Sequence, residues 1–479
     1  MPPRHFKGIL EEVTTYRLLG PKTMPGSVRG LEGLRAPMIG RDAELAHLRQ
    51  VVQALETGQR GHFVLLTGEA GIGKSRLTEE LSSQVNTQAI SILEGQSLTY
   101  RQSISYWIFL DVLRNYLGVT PDTPETETRQ KLAARVTETM GSSAAEVIPF
   151  LEYLLSLSLS DPAANERISY LDAEQLRQQI FLALRDLFVA EARKRPLLLI
   201  LEDLHWVDET SLDLIQFLLD SVRHAPLVLY GISRPAQGTP VEGVIERART
   251  RLPDRFTLIE LPTLSLDQST RLFFELLATP EMPSNFRDLI IQRAAGNPFY
   301  LEEILRMLIE AHVIERDQMQ WRLVEDANIS NLGVPETLQG LILTRFDRLS
   351  ASQRRILQVA SVIGREFSVP VLIPFLQDQI DEGQVQSDLE ILIAREFVIP
   401  KPHASPSDFV FRHVLTSDAI YSTLLKRDLG YMHGMVAAAI EEVYADRLDG
   451  QVELLANHYL QSPWLDRALH YLILAGQKA

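Results

Sequence analysis

Two apolar spacings alternate along the first half of the chain. From Asp42 to Leu55 apolar residues recur at helical intervals, and Leu45, Leu48, Val51, Val52 and Leu55 predict one buried helix face. Phe63-Val64-Leu65-Leu66 is a continuous apolar run, and Arg76 to Leu81 is compatible with a helix. Ala89 to Leu93 predicts a second strand and Trp107 to Leu117 an apolar helix. Residues 119–195 are mostly helical in pattern, with a polar loop at Thr120 to Glu127. Pro196 then precedes Leu197-Leu198-Leu199-Ile200-Leu201, closed by Glu202-Asp203. Such a run suits a strand buried on both faces of a parallel sheet. Ser211 is the expected cap of the next helix, whose Leu212, Ile215 and Leu219 face inward. Leu227 to Ile232 predicts a strand ending in Ser233-Arg234-Pro235, and Thr257 to Leu261 the last one of this series.

Beyond Leu261 the pattern becomes helical. Ser265-Leu266-Asp267-Gln268 is a capping-box signature opening a helix through Leu277. Further helices are predicted at 284–294 and 299–313. Residues 336–412 read as three helices and a hairpin, with Phe397-Val398-Ile399 and Phe409-Val410-Phe411 flanking the turn-rich Pro402 to Ser407. That order suits a winged helix. Residues 415–479 are helical again, with one possible helix-pair repeat near 452–479. At the other end, residues 1–36 are rich in Gly, Pro and Arg and read as a linker with one strand-like piece, Val13 to Leu19.

Composition narrows the classes. A chain of 479 residues is too long for one compact domain, and 45% hydrophobic residues supply sizeable cores. A net charge of −15 disfavours a nucleic-acid surface as the main business of the chain. The absence of cysteine excludes disulfides, thiolate metal sites and a cysteine nucleophile. No apolar run reaches bilayer length, and Met1-Pro2-Pro3-Arg4-His5 does not open a signal peptide. A cytoplasmic protein without a membrane partner is expected.

The sharpest chemistry lies at Gly68-Glu69-Ala70-Gly71-Ile72-Gly73-Lys74-Ser75, which spells the phosphate-binding P-loop between a strand and a helix. Gly71 and Gly73 let the backbone turn with its N–H groups inward, where a Cβ would clash. Those groups and the helix N-terminus form a cradle for phosphates. Lys74 is expected to reach the β- and γ-phosphates and Ser75 to ligate Mg²⁺. The expected nucleotide-binding set here is Gly68, Gly71, Ile72, Gly73, Lys74, Ser75 and Arg76.

A P-loop ATPase also needs acid at the end of a neighbouring strand, to serve Mg²⁺ and to orient the attacking water. Glu202 and Asp203 stand where such a pair should be, with Glu202 the expected metal-serving group. Their distance in sequence from the P-loop implies an inserted helical segment. Arg234 ends the next strand, so it belongs on the same carboxyl edge, where a cation can sense the γ-phosphate. Taken singly, the acidic pair also fits a solvent-facing strand end, and Arg234 a surface turn.

With these motifs in order, the chain resembles the STAND-class signal-transduction ATPases, a branch of the AAA+-like P-loop proteins, over about residues 37–425. Pro37-Met38-Ile39-Gly40-Arg41-Asp42-Ala43-Glu44-Leu45 resembles the family element beside adenine, which implies nucleotide contacts for Ile39, Gly40 and Arg41. Leu199 to Trp206 is similar to its Walker B segment, and Ile232-Ser233-Arg234-Pro235 to its sensor strand end. Gly296-Asn297-Pro298-Phe299-Tyr300-Leu301-Glu302-Glu303 resembles its G-x-P element, in which the proline, here Pro298, approaches adenine. The same three residues also read as a glycine C-cap followed by an asparagine N-cap with proline at N1. Phe411-Arg412-His413 resembles the winged-helix segment whose histidine contacts the ADP β-phosphate; His413 also fits an ordinary structural histidine. One departure is the Glu-Asp pair, where many relatives carry two aspartates or Asp-Glu.

The resemblance implies a fold and a division of the chain. The fold expected is an α/β P-loop NTPase core with a parallel sheet, then a helical lid, a winged helix and C-terminal helices. The core would span 37–262, the lid 263–335, the winged helix 336–420 and the helical segment 421–479. Phe6 to Val13 with Tyr16-Arg17 resembles the end of a class III nucleotide cyclase domain, a remnant without catalytic residues. Ala456-Asn457-His458-Tyr459 and Ala468-Leu469-His470-Tyr471 resemble the start of a tetratricopeptide array, which implies protein partners or self-association through helical repeats. The expected function is an ATP/ADP- and Mg²⁺-dependent switch with slow hydrolysis. Two alternatives remain beside it: an origin-recognition-like DNA-binding ATPase, or the ATPase portion of a cyclase-type regulator. A small-molecule kinase would need an acceptor site that the sequence does not identify. Residues 336–420 hold eight basic and eleven acidic side chains, which disfavours DNA.

Overall fold

The computed structural model describes residues 37–478, apart from 59, 98–103, 121–122, 280–281, 318–319, 325–333, 377–379 and 402–404. The strand-like Val13 to Leu19 and the cyclase-like Phe6 to Arg17 therefore lie outside the described residues, as does part of Pro402 to Ser407.

The first unit runs α1 (Asp42–Gly58), β1 (His62–Thr67), α2 (Lys74–Ser82), β2 (Ser91–Gln96) and α3 (Trp107–Leu117). Then follow α4 (Glu125–Met140), α5 (Ala144–Leu154), α6 (Pro162–Ser169), α7 (Ala173–Lys194) and β3 (Leu197–Glu202). It closes with α8 (Glu209–Leu218), β4 (Leu227–Ser233), α9 (Val241–Arg251) and β5 (Phe256–Glu260). The five strands form one parallel sheet in the order β2-β3-β4-β1-β5. Alternation along each strand divides its side chains between two cores. Phe63, Leu65, Leu197, Leu199, Leu201, Leu227 and Leu229 pack with α3 to α5 and α7 to α9. Val64, Leu66, Leu198, Ile200, Val228, Tyr230 and Ile232 pack with α1 and α2. Both faces of the inner strands β1, β3 and β4 are dry, so these three read as nearly unbroken apolar runs. The segment between β2 and β3 is the inserted helical region that the sequence spacing implied.

Two local expectations need correction here. Ser211 does not cap α8. Asp208 does, accepting from the Ser211 amide at 2.8 Å and the Ser211 hydroxyl at 2.6 Å. The same carboxylate accepts from the Tyr106 and Trp107 amides at 3.1 and 3.2 Å, so it also fixes the start of α3. The second strand begins at Ser91 rather than Ala89, because the Ala89 and Ile90 amides are turned back onto the Asn86 carbonyl.

The second unit packs α10 (Leu266–Leu277), α11 (Ser284–Ala294) and α12 (Pro298–Glu310) around Phe273, Phe286, Ile290 and Ile304. The capping box of Ser265 and Gln268 is formed. The helix expected over 299–313 stops at Glu310. His312 takes a left-handed conformation, and a hairpin of β6 (Ile314–Asp317) and β7 (Gln320–Leu323), absent from the sequence reading, follows.

The third region contains α13 (Leu338–Asp347), α14 (Ala351–Ile363), β8 (Glu366–Ser368), α15 (Val369–Leu372) and α16 (Glu382–Ala394). The expected hairpin is present as β9 (Val398–Pro400) and β10 (Asp408–Phe411). β8 is an added strand, and the antiparallel order is β8-β10-β9. Four helices follow: α17 (Val414–Tyr421), α18 (Lys426–Val443), α19 (Val452–Leu460) and α20 (Leu465–Lys478). One apolar cluster runs from Phe346 to Tyr471, so the last helices share their core with the helix–strand unit.

A buried ion network joins the second and third regions. Arg345 of α13 meets Glu303 at 2.6 Å and Glu310 at 2.8 Å, both on α12. Arg306 of α12 pairs with Glu303 at 3.2 Å and with Glu396, which also holds Arg412 at 3.0 Å. Burial pushes the Glu303 carboxyl up, but Arg345 and Arg306 outweigh it and hold it below the usual range. Removing one partner from such a network leaves a buried charge uncompensated, so the network fixes one arrangement of α12 against the chain that follows.

Candidate functional site

Strand order places the chemistry. β4 lies between β1 and β3, with Thr67 in register with Ser233 and Gln96 of β2 in register with Glu202. Four strand ends thus stand side by side on the carboxyl edge: Gln96, Glu202-Asp203, Ser233-Arg234, and Thr67 leading into the glycine loop. Ligands of open parallel sheets bind at this edge. One cavity opens there, lined from all three regions of the chain.

The loop between β1 and α2 is held in an unusual shape. Gly71 and Gly73 have φ of +78° and +103°, a conformation that side chains disfavour. A Cβ on Gly71 would lie 2.9 Å from Asn297 Oδ1 and 3.0 Å from Phe299 Cβ. The loop is clamped from outside. Asn297 Nδ2 donates to the Ala70 carbonyl at 2.9 Å, and the Phe299 amide to the Gly71 carbonyl at 3.3 Å. Buried Arg41 donates to the Ile72 carbonyl at 3.2 Å and the Pro262 carbonyl at 2.6 Å, tying the loop to the end of the first region. Lys74 Nζ folds back on the Gly68 and Glu69 carbonyls at 2.6 and 2.9 Å. Burial pushes its ammonium down to about 8; Arg234 adds to this, against Asp203, Glu69 and Glu202.

Asp203 closes β3 in a left-handed conformation, φ +58°, which costs energy for a residue with a side chain. Its Oδ2 accepts from Gln96 Nε2 at 2.9 Å and from Arg365 Nη1 at 3.2 Å. Gln96 also reaches Glu202 Oε2 at 3.5 Å. Burial pushes His205 down to about 4, Arg234 and Lys74 adding to it against Asp203, so its ring is neutral near pH 7. The Arg234 guanidinium lies over the Trp206 ring, 5.0 Å from its centroid.

The structure brings most sequence-named residues to this one cavity. Ile39, Arg41, Gly71, Ile72, Gly73, Lys74, Ser75, Arg76, Glu202, Asp203, Arg234, Pro298 and His413 all line it. Gly40 and Gly68 do not; a Cβ on Gly40 would strike Gln268, and one on Gly68 would crowd Ile72 and Leu261. His413 precedes α17 and packs its ring on Phe299, with centroids 3.9 Å apart. Both readings of Gly296-Asn297-Pro298 meet here: Asn297 caps α12 and also clamps the loop. Sequence reasoning missed Gln96, Phe299, Arg306 and Arg365 as lining residues. A polar residue ending β2 was a usable signal for Gln96. Arg365 had none, since only the fold carries it to Asp203.

The lining suits a nucleoside polyphosphate with its metal. Pro37, Met38, Ile39, Leu264, Leu272, Leu276 and Pro298 supply apolar surface, and Lys74, Arg234, Arg306 and Arg412 supply cations, while Arg365 is turned to Asp203. Arg234 Nη2, Arg306 Nε and Arg365 Nε are buried without a hydrogen-bond acceptor in the protein. Buried donors of this kind call for an acceptor. No cluster of three or more His, Asp or Glu suited to a metal occurs among the described residues. Mg²⁺ needs none, since it binds through one or two protein oxygens together with phosphates and water.

A parallel sheet carrying a clamped glycine loop, a lysine and strand-end carboxylates has the P-loop NTPase fold. Residues 37–230 match the family model of the AAA ATPase domain, so this part of the chain carries such a domain. An uncharacterized protein of Rhizobium meliloti (strain 1021) is 25% identical over 486 residues, covering 99% of this chain and 44% of that one. Adenylate cyclase type 10 of Rattus norvegicus is 20% identical over 425 residues, covering 78% of this chain and 25% of the cyclase. The chain therefore spans less than half the length of these curated relatives. A solved signal transduction ATPase with numerous domains and a tetratricopeptide repeat sensor, from Pyrococcus horikoshii, aligns over 93% of this chain and 59% of that one. Its identity is 11% and its TM-score 0.41. No helix among the described residues is long and apolar enough to cross a membrane.

Lys74 generates a pH prediction. Phosphate binding needs the charged ammonium, which the free site already carries below about pH 8. As pH rises through that value the free lysine loses its proton, so binding must take one up. Nucleotide affinity should fall above about pH 8, by at most roughly tenfold per unit, with matching proton uptake from buffer. Calorimetry in buffers of different ionisation enthalpy reads both. Affinity that stays flat to about pH 9.5 would mean that Lys74 remains charged in the free site.

Proposed function

We propose that the chain is the ATPase module of a STAND-class switch, in which bound nucleotide sets how the helix–strand unit sits against the sheet core. The observation that carries this reading is the shared cavity: P-loop, lid residue Phe299 and His413 meet around one space. In this reading residues 263–335 are the lid, 336–420 a winged helix and 421–479 the start of a helical array. ATP or ADP would lie with phosphates on Gly71 to Arg76 and base near Ile39, Arg41 and Pro298. Ser75 and Glu202 would serve Mg²⁺, which when bound neutralises charge on the phosphates. Asp203 would orient the attacking water, and Arg234 would face the γ-phosphate. Hydrolysis would be slow, as suits a switch. Partners would be proteins met through the C-terminal helices or through longer forms of the chain, and the setting cytoplasmic. The acidic balance of 336–420 still disfavours the DNA-binding alternative.

The enzymatic part is tested with Glu202→Gln and Asp203→Asn. Each keeps shape and removes charge. Both should lower steady-state ATP turnover by at least about tenfold while ATP affinity stays within a few-fold. Wild-type turnover in both variants would make the pair mere strand-end carboxylates.

The switch part is tested at His413. A neutral imidazole can donate one hydrogen bond to a phosphate. If that contact forms only in the closed, ADP-bound arrangement, His413→Ala must weaken ADP more than ATP, because a ligand shifts an equilibrium only through differential affinity. A contact of about 1.4 kcal/mol changes the ADP-to-ATP affinity ratio roughly tenfold. Equal weakening of both, measured by titration, would reduce His413 to packing on Phe299.

A further inference from the structure

We propose that Arg365 is a positioning residue that restrains Asp203, so that ATP turnover stays low until the helix–strand unit withdraws. This rests on the ATPase reading above. Arg365 lies in the turn between α14 and β8, far from the core in sequence, yet its Nη1 is 3.2 Å from Asp203 Oδ2. Both side chains are 21% exposed, so the pair is sheltered from full solvent screening. The backbone behind it is pinned, since the Phe411 amide donates to the Arg365 carbonyl at 2.9 Å. Arg365 therefore moves with the three-stranded sheet rather than as a loose side chain.

Its partner is equally constrained. Asp203 is held in a left-handed backbone conformation, and the oxygen that Arg365 takes is the one that Gln96 also reaches. A carboxylate oxygen receiving two donors, one of them cationic, has less capacity left to accept from water. A longer-range attraction also runs the other way across the same seam. Asp418 of α17 is pushed up by burial, while Arg234 and Arg365 pull it down. Separating the units breaks the Arg365–Asp203 pair and frees part of the Asp203 carboxylate to accept from water.

The test uses the full chain with Arg365→Gln and Arg365→Lys. With saturating Mg-ATP, Arg365→Gln should raise kcat about fivefold with KM within about twofold, since only the water-orienting group is released. Arg365→Lys keeps a cation beside Asp203 and should raise kcat by clearly less than Arg365→Gln does. Adding Asp203→Asn should abolish the gain. In nucleotide-free protein, hydrogen exchange at the Phe411 amide should quicken about threefold in Arg365→Gln and equally in Asp203→Asn. It should quicken no further in the double variant, because both remove one interaction. Lower kcat or a raised KM in Arg365→Gln would make Arg365 a phosphate ligand and overturn the proposal. Additive exchange effects, or none, would overturn it as well. Exchange is read without nucleotide, so a protein that fails to bind ATP would defeat the functional reading while leaving this contact testable.

Discussion

A glycine loop in left-handed conformations cannot hold its own shape, and everything else at this site follows from how it is held. Gly71 and Gly73 adopt positive φ between β1 and α2. Neither glycine contributes a side chain to fix that choice, and both are conformationally free in the unfolded chain. The restraint comes from Arg41 on one side and from Asn297 and Phe299 on the other. Those residues lie far apart in sequence, so docking of the second region adds to the hold that Arg41 and Lys74 already have on the loop. Phe299 then carries His413 on its ring, which draws the third region to the same place. Loop geometry and arrangement of the regions are thus one constraint.

Charge is the second consequence. The chain is acidic overall, at −15, yet the cavity gathers Lys74, Arg234, Arg306, Arg365 and Arg412 against Glu202 and Asp203. Part of that positive charge is answered within the protein. Glu303, Glu310 and Glu396 take up Arg306, Arg345 and Arg412, and Asp203 takes Arg365. Part is not: Arg234, Arg306 and Arg365 each keep one buried donor without a protein acceptor. A polyanion bound there changes both halves of this balance at once, which is how ligand chemistry can reach the seam between regions.

The fold was legible where local pattern decides structure. The runs at Phe63, Leu197 and Leu227 are strands because both sheet faces are buried, and the Ser265 capping box opens its helix as expected. Reading failed where a distant partner decides. Ser211 looked like a cap, but Asp208 has four donors to satisfy and takes the position. β8 is three residues long and exists only because β10 pairs with it. At the site, the P-loop, Glu202-Asp203 and Arg234 were visible as strand-end chemistry. Asn297 was visible only as helix punctuation, since its second bond runs to Ala70, which spacing does not reveal. Arg365 was invisible, because no motif marks a residue that acts through another region.

The central claim is that Lys74 and the glycine loop bind nucleotide at the meeting point of the three regions. The most direct measurement is calorimetric titration of Lys74→Ala with ATP and Mg²⁺, beside circular dichroism of the same sample. The account predicts tight binding by the wild-type chain, and in the variant a loss of affinity of at least about a hundredfold, as expected for removing a charge-assisted contact to phosphate. Its helical signal and thermal transition should be unchanged. Equal affinity in both proteins would contradict the account.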